Sequence, residues 1–516
     1  MRKILLIVSC AFLLTAGTSV LADGGGRVTV GYTYIDEEGN QSVNHGTFNQ
    51  YEGVGLSLEK FNYLFDSGLR LKADLNNLTL NNRNAVIGLE RSGLFGFRAY
   101  NNQYRRVYNF EGDSFTRRHN TGGTVWFYPH RYIRLFGGGE YVGNSGKMLP
   151  LFDLGGATPP QDVDYKQFCY NAGIRLNHRG GMFQAEYRAG EYHDDFKIER
   201  DQTRSRINLY GLIPVPGYEW LVLSGRFFHF ETKYDDTEFK ISTNQVRGGA
   251  MAKLSEKVLL NYYFIFDRTS SDSDIIATDN IAHAVYATYN WMNVAGLTAG
   301  YQYGINDDYE AQVTSNAYYF YGWLKPGRYF ELRGEHGMRS ESVDDGSRLI
   351  GDEDRSRFKF SAKYSKPENG FISIKYEGRN RENEQLGTEI DFTRLAIDAA
   401  LIRKDYGNLS AGYAYSIGDY DNLETAFEFA DHIVYGDITS AEYRGFDAGF
   451  GVVYYRSLRD LDVESFSLHF KAGYNFMEDH RLEVKYNVDN FDDFLVRDNY
   501  YTSNIVEISL TKILSF

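Results

Sequence analysis

Leu482-Glu483-Val484-Lys485-Tyr486-Asn487-Val488 alternates oily and polar side chains without a break, and Leu69-Arg70-Leu71-Lys72-Ala73-Asp74-Leu75 does the same near the other end of the chain. A period of two is the signature of a β-strand with two unlike faces. Here the polar face carries ionised groups at successive positions, while the apolar face is rich in Tyr, Phe, Leu and Ile. Stretches of this kind tile the chain from Arg27 to Phe516, far too many for one soluble sandwich. The pattern therefore predicts an all-β fold, a single large antiparallel transmembrane barrel with a wet interior and a lipid-facing exterior.

Arg2 and Lys3, the apolar run from Ile4 to Leu14 and the small residues ending at Val20-Leu21-Ala22 have the layout of a secretory signal, with cleavage expected after Ala22. Cys10 offers a lipoprotein alternative, but it follows Ser9 after too short an apolar core. The organisation expected is a signal peptide over 1–22 and an outer-membrane barrel over 23–516. Beyond the signal there is no run of about 18 apolar residues that could cross a bilayer as a helix. A mean hydropathy of -0.45 does not oppose a barrel, because only every second residue meets lipid. The mature chain keeps one cysteine, Cys169, so no intrachain disulfide can form. Alternation puts Cys169 on the lumen side, between lipid-facing Phe168 and Tyr170, with nothing nearby that marks an activated thiolate. A formal charge of -14 argues against nucleic acid as a partner, and only eight prolines suit a chain made mostly of paired strand.

The connections sort into tight turns, such as Arg91-Ser92-Gly93 and Lys325-Pro326-Gly327, and longer segments rich in Asp, Asn, Ser and Gly, such as Tyr104 to Asp113 and Arg339 to Asp354. Bacterial barrels have short periplasmic turns and long outer loops, so the two kinds should alternate. They do, once Arg444-Gly445-Phe446-Asp447 is read as a tight turn. Thirteen long loops then imply about 26 strands, with both termini in the periplasm; if the short Leu458 to Leu461 loop is no loop, 24 remain. In the last strand Val506, Ile508, Leu510, Leu514 and Phe516 fall on one face. This resembles the C-terminal signal by which outer-membrane barrels reach the barrel-assembly machinery, with Phe516 as its terminal aromatic. Lys512 interrupts that face near the strand end, where a lysine can snorkel.

A ring of this size encloses a lumen much wider than a 16-stranded porin's. Alternation begins near Arg27, which leaves no room for an N-terminal plug domain, and the longest loop, Asn144 to Asp162, is too short to occlude the opening. Another polypeptide is thus expected in the lumen. The inner face offers it mixed charge: Arg70, Lys72 and Asp74; Glu331, Arg333 and Glu335; Lys359 and Lys363; Lys375 and Glu377; Glu483 and Lys485. These residues are candidates for partner contact or for pore lining, since any hydrated lumen is polar.

Phe48-Asn49-Gln50-Tyr51-Glu52-Gly53, then Leu75-Asn76-Asn77-Leu78-Thr79-Leu80-Asn81-Asn82-Arg83, then Gly93-Leu94-Phe95-Gly96-Phe97-Arg98-Ala99-Tyr100 resemble the early-strand pattern of the decahaem-associated outer-membrane barrels, the MtrB/PioB family. The resemblance covers residues 48 to 108. It implies a plugless barrel that sheathes a periplasmic multihaem c-type cytochrome and carries electrons across the outer membrane to a surface cytochrome or mineral. Members often carry a Cys-x-x-Cys near the mature N-terminus, which this chain lacks. It also contains no Cys-x-x-Cys-His, so no cofactor would be bound by this chain and haem would reside in the partner. Outer-membrane lipids and lipopolysaccharide are the other partners expected.

Other constellations fail. Eleven histidines are scattered without metal-ligand spacing; Gly137-Gly138-Gly139 has no following helix; acidic clusters such as Asp352 to Asp354 lie in expected loops without calcium-loop spacing. No catalytic triad or carboxylate pair is identifiable, which makes an enzyme the poorest class. Three readings remain: a cytochrome-sheathing scaffold, a passive or substrate-selective porin, and a polymer or lipopolysaccharide export channel.

Overall fold

A computed structural model describes residues 24–43, 47–109, 111–148, 161–272, 276–308, 311–344, 351–383, 385–422 and 425–515. The signal segment, Cys10 and Phe516 lie outside the described residues. The strands are β1 (Gly24–Gly39), β2 (Gly53–Leu64), β3 (Leu69–Asn76), β4 (Asn84–Arg91), β5 (Phe95–Val107), β6 (Phe115–His130), β7 (Ile133–Met148), β8 (Gln161–His178) and β9 (Gly181–Asp194). Next come β10 (Gln202–Val215), β11 (Tyr218–Tyr234), β12 (Lys240–Lys253), β13 (Val258–Ser271), β14 (Ala277–Trp291), β15 (Ala295–Asp308), β16 (Ala311–Gly327), β17 (Phe330–Asp344) and β18 (Glu353–Lys366). The last are β19 (Gly370–Asn383), β20 (Thr388–Arg403), β21 (Gly407–Asp421), β22 (Ala426–Ser440), β23 (Phe446–Arg459), β24 (Val463–Met477), β25 (His480–Asp493) and β26 (Tyr500–Ser515).

They form one 26-stranded sheet in which each strand pairs with its sequence neighbours. The ring closes where β1 and β26 pair antiparallel from Gly25 opposite Ser515 to Gly39 opposite Tyr501. Closure removes the edges whose unpaired N–H and C=O groups would each cost several kcal/mol in hydrocarbon. Following the pairing register round the ring gives a shear of about one residue per strand, hence a tilt of ~37° and, if circular, a backbone diameter of ~45–50 Å. Among the described residues, every regular element is a barrel strand apart from one turn of 3-10 helix at Ile198–Arg200.

The 26-strand expectation holds against 24. The tight turn read at Arg444-Gly445-Phe446-Asp447 is present between β22 and β23, with Arg444 and Gly445 at positive φ, and Asp460 to Asp462 separate β23 from β24. Several boundaries differ. Tyr104 to Asp113 was expected to be loop, yet β5 runs to Val107 and β6 resumes at Phe115; likewise β15 and β16 extend to Asp308 and from Ala311. Lys60 lies inside β2 at a bulge, with φ 51° and a register shift between Leu58 and Phe61.

One cause explains the longer strands. On the outward side of β8, Leu176, Ile174, Ala172, Tyr170 and Phe168 give way to Lys166, Asp164 and Asp162, while the backbone ladder with β7 runs on to Gln161. About 9–11 residues suffice to cross a bilayer as a tilted strand, whereas β8 has 18. The apolar band therefore lies next to the tight turns, at the end that holds Gly24 and Ser515, and the opposite half of the wall rises above it. There both faces are polar, so hydrophobic alternation vanishes although strand pairing continues. The exposed apolar residues of outward parity on the strands, Val125 at 54% and Phe168 at 52% among them, are the lipid surface of this band, whereas Phe196 and Ile198 are exposed in an outer connection. Tyr289, Phe330, Tyr364 and Tyr474 mark the lower edge of the band, and Tyr187, Tyr318, Phe358 and Tyr376 its upper edge, as aromatic girdles do.

This placement of the bilayer is testable with two substitutions on one strand. Ile174→Arg, at mid-band, is expected to cost about 2–4 kcal/mol in equilibrium unfolding from vesicles, whereas Asp164→Lys, above the band, leaves stability within about 0.5 kcal/mol. Equal effects would place the bilayer elsewhere.

Candidate functional site

The register fixes which side chains share the inner face. Arg70 stands opposite Glu90, Lys72 opposite Gly88, and the same parity carries on through Arg98, Thr124 and Gly138. At the far side of the ring Lys485 stands opposite Glu507 and Glu483 opposite Ser509, and those positions pair with Thr33 and Gly31 of β1. All twelve nominated residues lie on this one polar face. Cys169 shares it, buried, opposite Glu140 and Gly190, and accepts a hydrogen bond from Gln167 Nε2 at 3.3 Å.

The face is laced by ion pairs between neighbouring strands. Lys72 Nζ meets Glu90 at 2.6 Å, Arg333 meets Glu331 at 2.6 Å, and Lys375 meets Asp398 at 2.8 Å. Glu377 gathers Arg379 at 2.6 Å, Arg357 at 3.2 Å and Lys359 at 3.6 Å. Glu483 gathers Lys471 at 3.0 Å, Arg481 at 3.2 Å and Lys485 at 3.4 Å, and Lys485 also reaches Glu507 at 3.3 Å. Lys363 lies over the Phe371 ring at 4.8 Å, and Asp74 accepts from Asn76 at 2.7 Å. Arg70 and Glu335 make no ion pair among the described residues. Most of these groups are half exposed, so each pair contributes at most about 1 kcal/mol. Their consequence is a wall on which most nominated charges lie against a group of opposite sign.

Among the inward arginines that sequence reasoning missed are six on β17 to β20, Arg339, Arg355, Arg357, Arg379, Arg381 and Arg394. The signal was present: Arg355-Ser356-Arg357-Phe358-Lys359 and Arg379-Asn380-Arg381 keep the parity of nominated Lys359 and Glu377. Some of these residues fall in segments that read as loops, and there alternation loses its apolar partner.

Within the segment from Phe48 to Val107 two connections and the upper end of β5 pack together at the outer rim. Strands β3 and β4 are only 8 residues long, while β5 has 13, so β5 above Asn102 has no β4 partner. The β1–β2 and β3–β4 connections cover that open edge. Asn49 Oδ1 accepts from the Arg105 backbone N–H at 3.1 Å, Asn82 Nδ2 donates to Asn49 O at 2.9 Å, and Leu78 N donates to Leu56 O at 2.9 Å. The Arg105 guanidinium donates to Phe48 O at 2.6 Å and Gln50 O at 3.2 Å, and it stacks on Tyr51 at 4.6 Å. Phe48 is 2% exposed, and beside it Tyr501 is fully buried and donates to Thr47 Oγ1 at 2.8 Å. Elsewhere on the rim, in the 195–201 connection, the hydrogen bond from Lys166 holds the Asp195 carboxyl below the usual carboxylate range.

No family model matches the sequence, and no curated sequence matches it. Among solved structures, the siderophore receptor PirA from Pseudomonas aeruginosa is similar, with a TM-score of 0.52 and 10% identity over 82% of this chain and 80% of that chain. This is a Gram-negative outer-membrane β-barrel. The copper transporter OprC and the unliganded ferric citrate transporter FecA each align at a TM-score of 0.49 over 96% of this chain, with 10% and 9% identity, covering 82% and 79% of their own chains. At such identities the likeness is one of fold and carries no ligand across. Among the described residues no three metal-ligating side chains gather into a metal site.

The rim unit makes its own prediction. Arg105→Ala removes two donors to backbone carbonyls and the stack on Tyr51, a local loss of about 1–3 kcal/mol. The amides of 47–51 should then exchange faster and a protease should nick that segment first, while the barrel keeps its heat-resistant mobility on gels. Unchanged protection at 47–51 would show that the loop is held by something other than Arg105.

Proposed function

We propose that this barrel is a sheath: it surrounds a periplasmic multihaem c-type cytochrome and lets electrons pass the outer membrane through the guest's haems. The observation that carries the reading is the ring itself. Twenty-six strands enclose a lumen several times wider than a small solute needs, and all regular strand structure among the described residues lies in the wall. A polar lumen of that width invites a folded polypeptide, which would exclude water and ions and stop leakage. Patterned inward charges suit this task, because charge complementarity sets a guest's depth and rotation. The resemblance of residues 48 to 108 to the decahaem-associated barrels points the same way. Haem would belong to the guest, since a c-type attachment needs the Cys-x-x-Cys-His that this chain does not contain. The protein's own part is that of insulator and scaffold.

A diffusion pore is the second reading, favoured by the continuous polar inner face. The two differ in what the isolated complex does. Affinity purification from the native membrane is expected to retain a haem-staining protein in stoichiometric amount, and the complex in planar bilayers should conduct at least tenfold less than the stripped barrel. Recovery of the barrel without haem, forming stable open channels as purified, would replace the sheath with a porin.

A further inference from the structure

On β17 to β20 the inner wall departs from charge pairing. Arg339, Arg355 and Arg381 stand directly opposite one another across three adjacent strands, and in the next row on the same face Arg357 stands opposite Arg379. One row further from the outer rim, Glu377 stands opposite Arg394. Like charges placed directly opposite across a sheet repel. Three carboxylates temper the repulsion. Glu341 lies 2.5 Å from Arg339 and 3.9 Å from Arg355; Glu353 pairs with Arg355 and, at 2.7 Å, with Arg381; Glu377 serves Arg357 and Arg379. Arg394 has no ion pair among the described residues. Six guanidiniums thus share three carboxylates, leaving a cationic surplus.

The surplus is local. On the same face the neighbouring positions of β15 and β16 are Gly300, Gln302, Ala317 and Tyr319, and those of β21 are Ser416, Gly418 and Tyr420, all uncharged. Elsewhere on this face arginines oppose one another only as single pairs, such as Arg226 with Arg247 and Arg188 with Arg206, whereas here they fill two consecutive rows. The arginines line a recess of about 650 Å³ whose other walls include Tyr286, Tyr319 and Phe392, with Arg379 5.7 Å above the Phe392 ring. Glu377 is the one acidic side chain lining it. A net charge of -14 for the whole chain makes this sector the more pointed exception.

We propose that this arginine sector is a docking face for a carboxylate-rich surface of the guest polypeptide. The inference rests on the sheath reading for the guest, and on the wall alone for the carboxylate chemistry. Guanidiniums in fixed rows offer paired N–H donors that match carboxylates bidentately, and the surplus is relieved only when further anions enter the recess. Sequences that break a local rule do so at functional sites.

The test uses the full-length barrel carrying Arg357→Gln, Arg379→Gln and Arg394→Gln, with Arg226→Gln on distant β11 as control, each checked for heat-resistant mobility on gels. In purification of the native complex at 0.3 M salt, the triple variant should retain at least tenfold less haem-staining guest than wild type, and the control should match wild type. A folded triple variant that keeps its guest overturns the proposal. If even wild type retains no guest, the sheath reading fails, and the sector is decided separately: in planar bilayers poly-L-glutamate should block the wild-type channel at a concentration at least tenfold lower than it blocks the triple variant. Equal block, or none, overturns the carboxylate site itself. If the triple variant does not fold, the single Arg394→Gln, which breaks no ion pair, is run through the same two measurements with a threefold change as the threshold.

Discussion

A backbone that enters hydrocarbon must pair every N–H and C=O, and that requirement governs this molecule. Strands can meet it only by closing on themselves, so β1 must find β26 at the opposite end of the sequence. Once closed, the sheet needs no apolar core. The usual two-layer solution, in which one face of a sheet is buried against another element, is absent from the described residues. One face is buried in lipid instead, and the other is free to be wet and charged. The breadth of the lumen follows from strand number and tilt, not from anything packed inside.

That division frees the inner face to be selected for its charge pattern. On the outer face a charged side chain within the bilayer costs several kcal/mol, so composition there is dictated by the solvent. On the inner face, water screens each charge and an exposed pair is worth little, so the arrangement can follow function at small cost to stability. Paired charges at Lys72 and Glu90 or around Glu483 and unpaired surplus at the arginine rows therefore coexist in one wall. The first kind is matched within the wall; the second leaves an electrostatic demand that an incoming surface can satisfy.

The wall above the membrane shows the same economy of rules. Backbone pairing no longer needs an apolar outer face there, and both faces turn polar while the ladders continue. Where β3 and β4 stop short, two connections supply the hydrogen bonds that the missing strand residues would have made, and Arg105 ties them to the rim. Two of the three sequence segments that resemble the decahaem-associated barrels, 48–53 and 75–83, contribute in physical terms to the covering of an otherwise open strand edge. That covering would not have been read from the sequence, because the groups it joins, Asn49 with Arg105 or Thr47 with Tyr501, are far apart in the chain.

The sequence by itself determined whatever depends on neighbours two residues apart: the strands within the lipid band, their inward and outward faces, and, through alternating turn chemistry, their number. Glu483 and Lys485 face inward because Leu482, Val484 and Tyr486 cannot. What only the tertiary structure decided depends on the register between strands. It set where strands end above the membrane, since pairing there outlives the hydrophobic pattern that revealed it. It also set which inward charges meet, because Arg339, Arg355 and Arg381 become a row only when three strands are laid side by side at one particular offset. A shift of a single residue would turn that row to the outer face of the wall.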